Sequence, residues 1–182
     1  MNTFTISSLR SAGMKTLKKL TALLLVGAMT LSLAACGSGK KKVTSKEFKK
    51  IMKKADFTVT ESSDDDAEEC FVATWEDEDG ESFVYMTYYL FESKSDAKSC
   101  FNASYDELKE AKDDEEFDGD ISKNSWKFTG EGEFTEGSEY EGTELYMVGI
   151  LAEESMIIAM STGDKAGKKA LTSALSDLGY EI

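Results

Sequence analysis

Residues 70–91 read CFVATWEDEDGESFVYMTYYLF, and the way this stretch pairs with itself decides the fold. Two runs rich in aromatic and β-branched residues, Cys70–Glu76 and Ser82–Phe91, flank Asp79-Gly80, a dipeptide favoured in type I′ hairpin turns. A turn there sets Trp75 opposite Val84, Ala73 opposite Met86 and Phe71 opposite Tyr88. One face of the hairpin then carries Phe71, Ala73, Trp75, Val84, Met86, Tyr88 and Leu90. The other carries Cys70, Val72, Thr74, Phe83, Tyr85, Thr87, Tyr89 and Phe91. The first is the more uniformly apolar, so it is predicted to face the core.

Upstream, Ser45–Ala55 reads as a helix with Ser45 as N-cap, because Phe48, Ile51, Met52 and Ala55 fall at i, i+3, i+4, i+7. A short strand, Phe57–Thr60, and an acidic loop, Ser62–Glu69, lead into the hairpin. Downstream come an amphipathic helix over Ser93–Lys112, an acidic loop over Asp113–Lys123 and a strand over Ser125–Phe134. A second hairpin joins Glu144–Leu151 to Ser155–Ser161. The last helix runs from Asp164 to Leu178 and stops at Gly179. The order α-βββ-α-βββ-α predicts an α+β domain over 47–182, two-layered, with a mainly antiparallel sheet. An internal two-fold repeat is a further expectation. Phe48-x-x-Ile51-Met52-x-x-Ala55-Asp56-Phe57-x-Val59 aligns without gaps to Leu171-x-x-Ala174-Leu175-x-x-Leu178-Gly179-Tyr180-x-Ile182, each reading as a helix that leads into a β-like tail.

The 182 residues carry a formal charge of −14, and that charge is segregated. Residues 1–35 hold +4, residues 36–54 hold +7 with eight lysines and one acid, and residues 55–182 hold −25. A domain this acidic repels nucleic acid, whose binding rests on neutralising phosphates. It suits cations or a basic partner instead. Beyond Arg10 the chain has no Arg, and it has no His or Pro anywhere. The commonest general base and metal ligand are therefore missing, as is the usual bidentate clamp for carboxylate and phosphate. No catalytic residues are assigned, and the reading is of a non-enzymatic domain.

From Met14, which suits a true start, Lys15, Lys18 and Lys19 precede an apolar run, Leu20–Leu31. This is the layout of a signal peptide over residues 1–35. Leu33-Ala34-Ala35-Cys36, followed by Gly37-Ser38, resembles the bacterial lipobox. That resemblance covers only residues 14–39. It implies cleavage before Cys36, lipidation of its thiol, and display on the outer face of the cytoplasmic membrane. Residues 36–46 then form a tether whose Lys40, Lys41 and Lys42 suit anionic headgroups. The acidic α+β domain behind a lipobox is similar to small lipoproteins of Gram-positive bacteria, a likeness that gives location and not chemistry.

Three features of the domain carry candidate sites. Asp114, Glu116, Asp118 and Asp120, with Gly119 and Ile121, partly resemble an EF-hand calcium loop. Glu116 stands where Asp or Asn is usual, and Ser125 where a bidentate Glu should close the shell. A solvated acidic loop is the plain reading and a weak calcium site the alternative; otherwise no cofactor is expected. Cys70 and Cys100 are the thiols of the exported domain. The hairpin register puts Cys70 on the face away from the second helix, which predicts two buried, inert thiols rather than a disulfide. Phe83, Tyr85, Tyr89 and Phe91 form an aromatic stripe on the second hairpin face. It is either an exposed binding surface or a face covered by the first or last helix. The function expected is a membrane-anchored binding or accessory domain whose partner is an extracellular or envelope protein or peptide. A calcium-responsive surface protein and a carboxylate-dependent hydrolase are the alternatives.

Overall fold

The computed structural model describes residues 42–135 and 141–182; the signal peptide, Met14, Cys36 and the tether as far as Lys41 lie outside the described residues. Among these the chain runs α1 (Ser45–Lys54), β1 (Thr58–Ser62), β2 (Glu69–Glu76), β3 (Phe83–Leu90), α2 (Lys94–Asp113), β4 (Phe117–Lys123), β5 (Lys127–Phe134), β6 (Glu144–Ala152), β7 (Ser155–Thr162) and α3 (Lys165–Asp177). The class is α+β as expected. All seven strands join one antiparallel sheet in the order β1-β2-β3-β7-β6-β5-β4.

The β2–β3 register is the one the sequence predicts: Trp75 faces Val84, Ala73 faces Met86 and Phe71 faces Tyr88. The turn differs. Of its residues only Gly80 has a positive φ, 71°, so a type I′ pair is ruled out. Instead the Gly80 amide donates to the Asp77 carbonyl (3.2 Å), and the Asp77 carboxylate accepts from the amides of Glu81 (2.9 Å) and Ser82 (3.2 Å). These bonds hold the Asp77 carboxyl below its usual pKa. A four-residue loop has the parity of a two-residue one, which is why the register survives.

Two expectations fail. The segment over Asp113–Lys123 is not a loop from end to end: Phe117–Lys123 is an edge strand, making the order α-βββ-α-ββββ-α. Asp and Gly are poor strand formers, yet Phe117, Gly119 and Ile121 alternate toward the core while Asp118 and Asp120 face water. The domain is also not two-layered. α1 and α3 pack on one face of the sheet, and α2 packs on the other. Strand β7 shows why. Ile157 and Ala159 enter the α1/α3 core while Met156 and Ile158 enter the α2 core, so the central strands are apolar on both sides and need cover on both.

The helix ends explain the internal echo. Asp56 (φ 63°), Glu115 (φ 61°) and Gly179 (φ 92°) each follow a helix in the left-handed region. The next amide then donates back six residues' span: Phe57 to the Met52 carbonyl (2.9 Å), Glu116 to Ala111 (2.8 Å) and Tyr180 to Leu175 (2.9 Å). This is the Schellman stop. The aligned segments share it, and so does α2, which is outside the alignment. The tail after Gly179 joins no strand. At its start, α1 is capped by Thr44 rather than Ser45, because Thr44 and Glu47 complete a reciprocal capping box. Counted from Ser45, that third position would be Phe48, which has no oxygen to reach back.

Candidate functional site

Each helix covers only part of its face. On the α1/α3 side, Phe48 stacks on Tyr88 at 5.1 Å, and the Tyr88 hydroxyl donates to the Val43 carbonyl at 2.9 Å. Burial pushes the Tyr88 phenol up to about 12, with Glu69 and Glu47 adding to the shift. This locks the chain entry at Val43, itself 3% exposed, onto the centre of the sheet.

On the other side α2 lies across β7, β6, β5 and β4. Phe101 and Tyr105 pack against Phe128 at 5.3 and 5.9 Å, and Leu108 reaches Gly130, where even a Cβ would come within 2.8 Å of its methyl. Glycine there lets the ends of Leu108 and Met147 lie against the strand. α2 ends its cover near Tyr89. Beyond it, the α2-side face of β1, β2 and β3 has no helix on it among the described residues.

The aromatic stripe is thereby divided. Phe91 is 3% exposed, Tyr89 stacks on it at 6.0 Å, and both belong to the α2 core. Burial drives the Tyr89 phenol far above its ordinary pKa. The helix that covers them is the second, neither the first nor the last. Phe83 and Tyr85 lie past its edge and stay half-buried, among Val72, Thr74 and Met160, which are also half-buried. Thr58 and Thr60 on β1 are exposed beside them. Burial raises the Tyr85 phenol, against the Thr87 hydroxyl, which lowers it. At neutral pH Tyr85 is a neutral donor and acceptor set in an apolar surround. The acidic segments Asp64–Asp66 and Asp77–Glu81 close the two ends of this patch.

The thiols are placed differently from expectation. α2 covers the face that carries Cys70, so Cys70 and Cys100 lie on the same side of the sheet, both beside Tyr89. Both are free. Burial pushes Cys70 up to about 11 and Cys100 up to about 12, with Asp64 adding to each. Neither is an activated nucleophile at neutral pH.

The acidic segment does not form the expected loop. Asp114 caps α2, Glu116 closes the helix stop, and Asp118 and Asp120 project from β4. They face Glu133 and Glu131 across the β4–β5 ladder. Among the described residues no three acidic or thiol side chains converge as metal ligands do.

The sequence reading missed one concavity. Between the end of α1 and the α3 face, a shallow cleft of about 380 Å³ opens over Phe57 and Trp75, lined also by Ala166, Ala170, Lys169 and Asp177. The signal was present: Ala166, Ala170 and Ala174 fall at i, i+4, i+8 and leave room opposite a tryptophan placed in the core.

No protein-family model matches the chain, and no curated protein is similar to it in sequence. Among solved structures, the extracellular domain of PknH from Mycobacterium tuberculosis is similar at 13% identity and a TM-score of 0.45, over 76% of this chain and 93% of that one. Among the described residues no helix is long and apolar enough to cross a membrane.

Proposed function

We propose that this protein is a lipid-anchored, extracytoplasmic binding domain that carries out no chemistry of its own. It engages an envelope or extracellular protein or peptide through the uncovered sheet face around Phe83 and Tyr85. The observation that carries this reading is where α2 stops. Phe83 and Tyr85 are left outside both cores, on β3, whose other side is packed at Val84, Met86 and Tyr88. A half-buried phenol and phenyl among threonines, with acidic segments at both ends, suits a partner that presents apolar side chains flanked by lysine or arginine. The anchor is Cys36 in its lipobox-like setting, which places the domain on the outer face of the cytoplasmic membrane. The absence of His and Arg from the exported part supports the non-enzymatic reading. The calcium alternative loses its loop, since Asp118 and Asp120 stand on a strand.

Two measurements test the two parts. The protein extracted from membranes should begin at Cys36 and carry a lipid mass on that residue; an unmodified Cys36 would overturn the anchor. A photo-reactive phenylalanine analogue at position 85, in cells of the source bacterium, should give a discrete adduct that the same residue at Asp118 does not. Identical adducts at both positions, or none at position 85, would overturn the binding face.

A further inference from the structure

The lysines of α1 are out of keeping with the rest of the domain. Residues 55–182 hold 34 acids and nine lysines, yet Lys46, Lys50, Lys53 and Lys54 are exposed and make no ion pair among the described residues. Elsewhere four lysines form ion pairs, Lys42 with Glu154 at 2.9 Å, Lys94 with Glu153 at 3.3 Å, Lys168 with Glu131 at 2.7 Å, and Lys109 with Asp113, while exposed lysines without one, such as Lys98, stand apart and not on one helix face. With Lys49, whose ammonium sits 4.0 Å from the centre of the Phe71 ring, the five occupy i, i+3, i+4, i+7 and i+8. That is the whole outward face of a ten-residue helix whose inward face is Phe48 and Met52. Like charges at i, i+4 oppose the helix, and dipole complementarity favours only the two in the last turn, Lys53 and Lys54. Stability alone does not account for the arrangement.

We propose that this lysine face docks on anionic lipid headgroups, holding the anchored domain with its Phe83–Tyr85 face turned away from the bilayer. The inference rests on the lipid-anchored reading above. From Cys36 to Lys42 the chain spans at most about 20 Å, and α1 itself is about 15 Å long. Lys42 and Val43 are pinned to the domain by Glu154 and Tyr88, so the attachment point lies within a turn of the helix start. Any lipid attached at Cys36 therefore brings α1 to the surface first. Charge then selects the orientation. Each lysine gains up to about 1 kcal/mol near an anionic surface, while the acids beyond a Debye length of about 8 Å are screened. Because α1 and α2 pack on opposite faces of the sheet, a membrane under α1 leaves the α2 side, with Tyr85, open to partners.

The test uses the mature chain extracted from membranes and reconstituted in vesicles of pure phosphatidylcholine or of phosphatidylcholine with about one-third phosphatidylglycerol. Lysines are labelled with limiting acetic anhydride and read by mass spectrometry. Lys46, Lys50, Lys53 and Lys54 should react about five-fold more slowly on the anionic vesicles, with the difference lost at about 1 M salt. Lys98 on α2 should react equally on both. A variant with Gln at the four exposed α1 positions, which alters no buried contact, should leave Lys49 equally reactive on both vesicles. Equal α1 rates on the two vesicles, or protection of Lys98 to the same degree, would overturn the proposal. The mass of the Cys36 peptide separates the failures. With lipid present and α1 unprotected, the docking face falls and the anchor stands; with Cys36 unmodified, the anchored reading falls and takes the docking face with it.

Discussion

The pairs β2–β3 and β4–β5 are both antiparallel neighbours in one sheet, yet they are held by different forces. Across β2–β3, Ala73 meets Met86 and Phe71 meets Tyr88 with all four buried, so the pair stabilises itself through its own side chains. Across β4–β5, Gly119 meets Gly132 on the covered face, while Asp118 meets Glu133 and Asp120 meets Glu131 on the open one. The covered side packs Phe117 on Phe134 at one end (5.2 Å) but offers only glycine at 119, 130 and 132 in its middle, and the other side repels itself. The edge holds because α2 lies across it: Leu108 sits on Gly130, Phe101 on Phe128, and the Lys112 ammonium donates to the Gly119 carbonyl. A pair can thus be a strand pair by its own composition, or by what is laid on top of it.

Removing the cover should separate the two pairs most clearly. Phe101→Ala deletes a ring that is 1% exposed, and large-to-small changes of that kind cost about 3–5 kcal/mol. The expected outcome is a fall in urea midpoint together with an uneven loss of amide protection. Hydrogen exchange in β4 and β5 should speed up well before exchange in β2 and β3. Uniform acceleration across all four strands would show that the sheet opens as one unit and that the two pairs do not differ in the way argued.

What was legible follows the same division. The β2–β3 register could be read because every inward position from Phe71 to Tyr88 is apolar and a one-residue slip would bury threonines instead. β4 was not legible by composition, since Asp118, Gly119 and Asp120 belong to turns by propensity and its pattern rests on Phe117, Gly119 and Ile121 alone. The split of the aromatic stripe lay further out of reach. Tyr89 and Phe91 differ from Phe83 and Tyr85 only in whether α2 passes over them, which depends on where a helix crosses the sheet and not on the strand that carries them. The same crossing decides the thiol geometry: the register gives the hairpin face of Cys70, but not that the second helix lies on that face. The cleft over Trp75 is only half legible: Ala166, Ala170 and Ala174 share one helix face in the sequence, but nothing in it says that this face meets Trp75.

A second test acts at the end of the β2–β3 pair. Asp164 caps α3, accepting from the amides of Ala166 (2.6 Å) and Gly167 (2.9 Å), and it also accepts from the Ser82 hydroxyl (3.0 Å) beside the hairpin. These bonds, with the Thr162 hydroxyl foremost, hold its carboxyl down at about 2. A depressed carboxyl stabilises the fold above its unfolded value near 4 and loses that contribution as the pH falls from about 4 toward 2. Asp164→Ala should cost about 1 kcal/mol at neutral pH, the usual worth of an N-cap. It should also flatten the acid limb of a stability–pH curve between those two values. An unchanged acid limb would mean that these bonds do not hold the Asp164 carboxyl down.

The smallest effect is the most selective. Glu133 stands between Asp118 on β4 and Glu144 on β6, three carboxylates in one row across the open face. One row along, Glu131 escapes the same conflict because Lys168 of α3 reaches it at 2.7 Å and also reaches Glu144 at 3.5 Å. Glu133→Lys turns two cross-strand repulsions into attractions, each worth roughly 0.2–1 kcal/mol. The gain should appear as slower exchange of the β4 amides, and it should shrink as salt is added. The equivalent change on the self-supporting pair, Glu76→Lys opposite Phe83, should do nothing measurable, because no like charge faces it across the ladder. If both substitutions protect β4 alike, general reduction of the domain's negative charge would be the cause. If only Glu133→Lys does, the weakness of that edge lies in the row of carboxylates itself.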